Sequence, residues 1–353
     1  MAEKKSEKLQ KAYDQIDRFS HAYRYSQVLF TAYESGLLEV LSRSKDGSPE
    51  EIANAANLSE KGVTRLLTAL CALKIADKKQ GRFKLTGPYR QLFNPDADNY
   101  LGGMFDHEIH LQKRWMNLLH SIKSGEPVKK PNQKRTILDK NRFIRAMAIL
   151  GRRSSPEVIN KLKLKDNQHI LDLGGGPGLY LESFLAPFTH TKVTLFDQPE
   201  TIRFAKKRLA AHPSFDRMSF QEGDMLRDNY GKNYDIIFIS NVIHIFSLTQ
   251  ILHILKNCHR SLKPAGRVFI KDFFINEHQT GPVFSSLFSL HMMLSTEHGG
   301  CYRVSEIMDL LKESGFRRGR QIKFKQNSQI LEGIKKVISK KKKRNSHNVV
   351  VQK

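Results

Sequence analysis

The stretch His169-Ile-Leu-Asp-Leu-Gly-Gly-Gly-Pro-Gly178 decides the fold. A short apolar run containing one acid passes at once into a dense glycine turn. A buried parallel strand enters a ligand-contacting turn in this way, because glycine has no Cβ to block close approach of the backbone. Leu179 to Phe188 then reads as a helix, whose unpaired N–H groups and dipole favour an electron-rich ligand. The next apolar run, Lys192 to Phe196, leads into Asp197. An acid there, about 20 residues past the glycines, is placed to accept hydrogen bonds from ribose hydroxyls.

Two nucleotide fingerprints fail on this turn. A dinucleotide site needs Gly-x-Gly-x-x-Gly; Gly174 and Gly176 fit, but the third position falls on Leu179. A phosphate loop needs a Lys-Ser/Thr pair, and none follows. Asp172-x-Gly-x-Gly-x-Gly178 with its downstream acid instead resembles motif I of the class I S-adenosylmethionine-dependent methyltransferases. The resemblance implies an S-adenosylmethionine site containing Asp172, Gly174, Gly175, Gly176, Asp197 and Gln198. It extends to Gly223-Asp224-Met225, where the family's acid meets the adenine amino group and the apolar neighbour packs on the ring, and to Ser240-Asn241 at the end of the fourth strand.

The 353 residues suffice for two domains, each with its own core. No apolar run approaches the roughly 20 residues of a membrane helix, so no membrane insertion is expected. The Lys- and Glu-rich start lacks the apolar core of a secretory signal. Cys71, Cys258 and Cys301 are far apart and odd in number, which suits a reducing cytoplasm rather than a disulfide framework or zinc ribbon. The net charge of +24 invites a nucleic-acid reading, yet 13 Lys or Arg against the single acid Glu332 lie between Arg317 and Lys353. Half of the excess is thus at one end. The tail over 337–353 reads as a solvated accessory with weak, salt-sensitive affinity for polyanions.

Residues 1–12 are charged and expected to fray. Between Tyr13 and Leu41, apolar residues at helical spacing (Ile16, Phe19, Tyr23, Val28, Tyr33, Leu37) predict two helices. Ser48-Pro-Glu-Glu-Ile starts a capped helix, Ser59 caps a second over Glu60 to Leu73, and Ile75 to Leu85 turns at Gln80-Gly81 as a two-stranded wing. The residues alone leave two readings of this winged-helix unit. One is a DNA reader with Glu60, Lys61, Thr64 and Arg65 in the major groove; the other is a scaffold that pairs two subunits.

Joined to a methyltransferase core, the unit resembles the small-molecule O-methyltransferases of the caffeate and acetylserotonin type, whose winged helix mediates dimerisation and binds no DNA. The resemblance spans about residues 13–336. It implies a homodimer with a winged-helix dimerisation domain over 13–100, bridging helices over 101–155 and an S-adenosylmethionine-binding domain over 156–336. Trp115, Phe143, Met147 and Met293 are expected at the acceptor pocket, with His291 and Met292 beside them. Asp106, His107 and His110 have the residue types of metal ligands, but no further cluster accompanies them, and no metal is expected.

From Leu164 onward strands and helices alternate, as a parallel doubly wound sheet requires. Strands are predicted at His169–Leu173, Lys192–Phe196, Met218–Gln221, Tyr234–Ile239 and Arg267–Lys271, the last after a turn at Lys263-Pro-Ala-Gly266. Phe316–Phe324 and Ile330–Lys336 form a closing antiparallel hairpin. The fold class is α/β: a Rossmann-like doubly wound methyltransferase sheet with an N-terminal α-helical winged-helix domain.

A phenol has a pKa of about 10 and is mostly protonated at neutral pH, so a nearby base assists methyl transfer to it. Asn241-Val-Ile-His244 resembles the family's Val-Leu-His-Asp-Trp segment, in which the His takes the acceptor's proton. Asp272 matches the family acid that orients the imidazole. Ile245-Phe246 departs from Asp-Trp, and Tyr302 stands where a second acid is expected after Gly299-Gly300. Transfer by proximity and desolvation alone is therefore the alternative to base catalysis. The resemblance implies S-adenosylmethionine-dependent O-methylation of a small aromatic or hydroxylated metabolite, with His244 as general base. The rival is a non-catalytic, S-adenosylmethionine-sensing winged-helix regulator of DNA. A nucleic-acid methyltransferase is disfavoured, because its Asn/Asp-Pro-Pro-Tyr/Trp motif is missing.

Overall fold

The computed structural model describes residues 2–128, 155–324 and 328–337. Phe143, Met147 and the tail beyond Val337 lie outside the described residues. The chain forms two compact units, the first reaching Lys113 and the second beginning at Arg114.

In the first unit, three helices stand where two were expected: α1 (Ala2–His21), α2 (Tyr23–Glu34) and α3 (Leu37–Arg43). The helix α1 reaches back through residues expected to fray, supported by one-turn pairs Glu7–Lys11 and Gln10–Asp14. Gly36, at φ 75°, separates α2 from α3 in a conformation that costs glycine little. The helix α4 (Pro49–Ala56) opens on a capping box between Ser48 and Glu51, and α5 (Glu60–Ala72) on Ser59, whose hydroxyl accepts from Gly62 N at 3.2 Å. Strands β1 (Ala76–Lys79) and β2 (Arg82–Leu85) pair antiparallel as the wing. The helices α6 (Gly87–Phe93) and α7 (Gly102–Trp115) follow. Leu38, Leu41, Ile52, Leu67, Leu70 and Phe83 close the core. On the wing, Arg82 is neutralised by Asp46 at 2.6 Å and Glu51 at 2.8 Å. Asp106 accepts the Tyr33 hydroxyl at 3.2 Å. Among the described residues no helix is long and apolar enough to cross a membrane.

The second unit opens with α8 (Leu118–Ser124) and is built on strands β3 (His169–Leu173), β4 (Lys192–Asp197), β5 (Met218–Glu222), β6 (Tyr234–Ser240), β7 (Leu262–Phe273), β8 (Phe316–Lys323) and β9 (Ser328–Lys335). Their order is β5-β4-β3-β6-β7-β9-β8, parallel except that β9 runs against both its neighbours. The closing hairpin is thus as expected. Ile236, Ile237, Phe238 and Ile239 of β6 are fully buried. A central parallel strand is apolar on both faces because helices cover both, and each such side chain contributes roughly 1.5–3 kcal/mol.

One face, with Leu171, Leu173, Ile237, Ile239 and Ile270, packs under α11 (Leu248–Ser261) and α13 (Val304–Glu313). The other, with Ile170, Leu195, Phe238 and Phe269, packs under α9 (Leu179–Leu185), α10 (Pro199–Leu209) and helical residues 155–162. The remaining helix, α12 (Val283–Ser295), lies between β7 and α13 in the chain.

Two local expectations change. The helix α9 stops at Leu185 rather than Phe188, because Pro187 lacks the N–H that would continue the helical hydrogen bonds. The turn at Lys263–Gly266 lies inside β7: the register steps from Tyr234↔Leu262 to Ile236↔Arg267, with Ala265 at φ 61°. The extra residues are accommodated as a bulge.

Candidate active site

The glycine turn is fastened at its back. Gly174 N donates to Phe196 O at 2.8 Å, and the Arg208 guanidinium of α10 donates to the carbonyls of Pro177 and Gly178 at 2.8 and 3.0 Å. A Cβ on Gly175 would stand 2.3 Å from Asp172 Oδ2 and from Leu195 Cδ1, so only glycine fits there. Gly176, at φ +58°, faces open space instead, with nothing within 4 Å of the missing Cβ. The turn is therefore packed on one side and bare on the other.

Asp197 joins three strand ends. Its Oδ2 accepts from Gly176 N at 2.8 Å, its Oδ1 from Gln198 N at 2.7 Å, and its carbonyl from Gly223 N at 3.0 Å. Burial raises its carboxyl, while the two backbone donors oppose that rise. Asp224 holds Leu226 N at 2.8 Å, Met225 is buried, and Asn241, at φ 55°, donates its N–H to Lys271 O at 2.8 Å. The expected cofactor residues thus gather at the carboxyl ends of β3, β4, β5 and β6, where open α/β sheets bind ligands.

Asp172 is fully buried, and among the described residues neither carboxylate oxygen has a hydrogen-bond partner. Burial first, then the charge of Asp197, pushes its carboxyl up to about 8. The folded value exceeds the unfolded one. The contribution of this group to stability is therefore fully present below about pH 4 and is lost as pH rises toward 8, by about 1.4 kcal/mol per unit. Asp172→Asn is expected to flatten that slope, which denaturant unfolding of the ligand-free protein at pH 5 and pH 8 measures.

His244 lies in a single 3₁₀ turn, Ile243–Ile245, just past β6. Its Nδ1 is 2.8 Å from Asp272 Oδ1, which also accepts from Phe273 N at 2.8 Å. A carboxylate only accepts, so Nδ1 carries the proton and Nε2 is the basic nitrogen. Gly300 N donates to the His244 carbonyl at 2.9 Å, and the Tyr302 hydroxyl donates to the Phe246 carbonyl. Tyr302 is thus a clamp on this turn and takes no carboxylate's place. Burial, followed by Glu306, Cys301 and Asp272, pushes its hydroxyl up to about 12.

Phe288 packs on the His244 ring, edge-on at 4.9 Å. Phe288 stacks with Phe284 at 6.0 Å and meets Phe273 at 5.0 Å. His291, one turn further along α12, lies 5.8 Å from Phe288. Burial, then Arg114 and His244, pushes His291 down to about 4, so it is neutral, with Nδ1 buried and unpartnered among the described residues. Trp115 ends α7 and Met293 sits on α12, both half-buried, whereas Met292 is core. Sequence reasoning missed the phenylalanine wall, although Phe284 and Phe288 one turn apart on α12 were its signal. It also missed Arg208.

A family model described as the O-methyltransferase domain matches residues 133–317. The chain belongs to the O-methyltransferase family. The O-methyltransferase dimerisation domain matches residues 18–90. Among curated relatives, 3-hydroxy-5-methyl-1-naphthoate 3-O-methyltransferase of Streptomyces sahachiroi is 25% identical over 85% of this chain and 88% of its own. Acetylserotonin O-methyltransferase of Gallus gallus is 25% identical over 86% and 91%. Human N-acetylserotonin methyltransferase, solved in complex with S-adenosylmethionine, has the same fold, with a TM-score of 0.82 at 22% identity over 92% of this chain and 98% of that one. This O-methyltransferase is S-adenosylmethionine-dependent, as its family is. The regulator reading gains no support from these matches.

The residues present fit that cofactor. Among the described residues Asp172 and Ser240 leave buried side-chain oxygens unpartnered, and the bare side of the turn at Gly176 is open. Orphaned polar atoms of this kind are costly unless a ligand supplies the missing hydrogen bonds.

Proposed function

We propose that this O-methyltransferase methylates a hydroxyl of a small aromatic metabolite, with His244 as general base and Asp272 as the residue that orients it. The carrying observation is the 2.8 Å contact between His244 Nδ1 and Asp272 Oδ1 beside the Phe288 wall. In this reading Asp172, Gly174, Gly175, Gly176, Asp197, Gln198, Gly223, Asp224, Met225, Ser240 and Asn241 hold S-adenosylmethionine. When bound, it supplies a methyl group already activated by its sulfonium.

The protein's own part is positioning and proton transfer. Asp272 Oδ1 fixes the Nδ1–H tautomer, so Nε2 faces the acceptor hydroxyl and takes its proton as the oxygen becomes nucleophilic. The phenylalanines favour a flat apolar acceptor and exclude water, and alignment lowers the barrier further. The relatives' naphthoate and acetylserotonin acceptors support an aromatic one here.

We assign dimerisation to residues 13–100, a bridging segment to 101–155 and methyl transfer to 156–336, in a cytoplasmic homodimer. The dimerisation-domain match supports the pairing. The test is calorimetric titration with S-adenosylmethionine and S-adenosylhomocysteine, followed by a screen of phenolic acceptors for methylated product. Tight binding and an O-methylated phenol are expected. Binding without product from any hydroxylated aromatic would overturn the acceptor class.

A further inference from the structure

Lys271 is a buried cation that the proposed mechanism does not use. It precedes Asp272 on β7, so its side chain turns to the opposite sheet face. Ser240 pairs with Lys271, and Asp172 pairs with Phe238, two residues before Ser240 on β6. Asp172, Ser240 and Lys271 therefore share one face on three adjacent strands, near their carboxyl ends. Among the described residues the first two carry unpartnered oxygens.

Lys271 is only 4% exposed. Among the described residues its hydrogen bond goes to Asn241 Oδ1, at 3.3 Å, although an ammonium has three N–H groups to place. The acid that acts on it through space, Asp272, is already bonded to His244 on the other face. Burial lowers the lysine's pKa, with Asp272 opposing. Two other buried ionisable groups differ: Glu332 is held by Arg267 and Arg320, and His244 by Asp272. Burying a cation without an anion is costly. Asn241, its partner there, is exposed, so the amine stands where the core meets the mouth of the site.

We propose that Lys271 Nζ binds a carboxylate of a ligand in the methyl-transfer site. The inference rests on the functional reading above and goes beyond it by adding an anion-binding residue. A single ammonium beside a neutral amide, on a face shared with an acid, matches one negative charge better than the two of a phosphate. The carboxylate has two sources: the amino-acid end of the cofactor, or an acid group on the hydroxylated aromatic acceptor.

The test compares wild type, Lys271→Met and Lys271→Gln. Calorimetry is run with S-adenosylhomocysteine, with 5′-deoxy-5′-methylthioadenosine, which lacks the carboxylate, and, on the S-adenosylhomocysteine complex, with 3,4-dihydroxybenzoate against catechol. If the cofactor is the source, both variants lose about tenfold or more in S-adenosylhomocysteine affinity and nothing for methylthioadenosine. If the acceptor is the source, S-adenosylhomocysteine binding holds, and a wild-type preference of about tenfold for dihydroxybenzoate disappears. Ligand-free Lys271→Met should melt no lower than wild type, since methionine removes an uncompensated buried charge. No change in either arm, full retention by Lys271→Gln, or a clearly lower melting temperature for ligand-free Lys271→Met would each overturn the proposal. Failure of wild type to bind S-adenosylhomocysteine would overturn the cofactor reading, and this inference with it.

Discussion

Replacing His244 by Ala lowers kcat for methyl transfer to a phenol by about 10²–10⁴-fold, while S-adenosylhomocysteine binds as it does to wild type. The selectivity follows from where the group stands. His244 is on the turn past β6, its Nδ1 is committed to Asp272 at 2.8 Å, and Phe288 covers the ring. None of the hydrogen bonds that fasten the glycine turn involves it. Asp272→Asn is the companion measurement. An amide can meet Nδ1 with either its oxygen or its NH₂, so the tautomer is no longer imposed, and kcat should fall by an intermediate factor. Steady-state kinetics on a weakly acidic phenol and on a more acidic one decides between the two chemical routes. If His244→Ala keeps wild-type kcat with the weakly acidic phenol, transfer proceeds by proximity alone.

Asp197→Ala is expected to weaken S-adenosylhomocysteine binding by about 100-fold or more. Two effects combine. The carboxylate is the proposed acceptor for the ribose hydroxyls, and charge-assisted hydrogen bonds of that type are worth about 1.5–3 kcal/mol each. The same carboxylate holds Gly176 N at 2.8 Å and Gln198 N at 2.7 Å, so its loss also loosens the turn. Asp197→Asn separates these effects, because one oxygen can keep the Gly176 contact while the charge is gone. Its loss should be smaller, and calorimetry on the three proteins reads the difference. Equal affinity in wild type and Asp197→Ala would remove Asp197 from the cofactor site.

Local chemistry made much of this architecture legible in advance. Ser48 and Ser59 announce their helices through caps, Gln80-Gly81 marks the wing's turn, and the run into Gly174 marks the strand that carries the cofactor turn. His244 and Asp272, 28 residues apart, were paired only through family resemblance; their 2.8 Å contact depends on β6 and β7 lying side by side. Features created by packing were harder to see. Phe273 leaves a strand and Phe284 and Phe288 lie on a helix, so their cluster exists only once the chain folds back. The orientation of Tyr302 toward Phe246 has no sequence signature, and neither has the pairing of Lys271 with the neutral Asn241. The stretch Lys263–Gly266 has the composition of a turn and becomes a bulge because β7 continues on both sides of it.

The aromatic wall beside His244 has an evolutionary consequence. The base follows one strand and its acid lies on the neighbouring one, and Gly300 N holds the base's backbone carbonyl. Phe284, Phe288 and His291, by contrast, all belong to α12. Mutations along that one helix can therefore reshape what is accepted and leave the proton-handling pair where it is. Selectivity and reactivity are inherited on separate pieces of chain, so a lineage can drift toward new acceptors without first losing its chemistry.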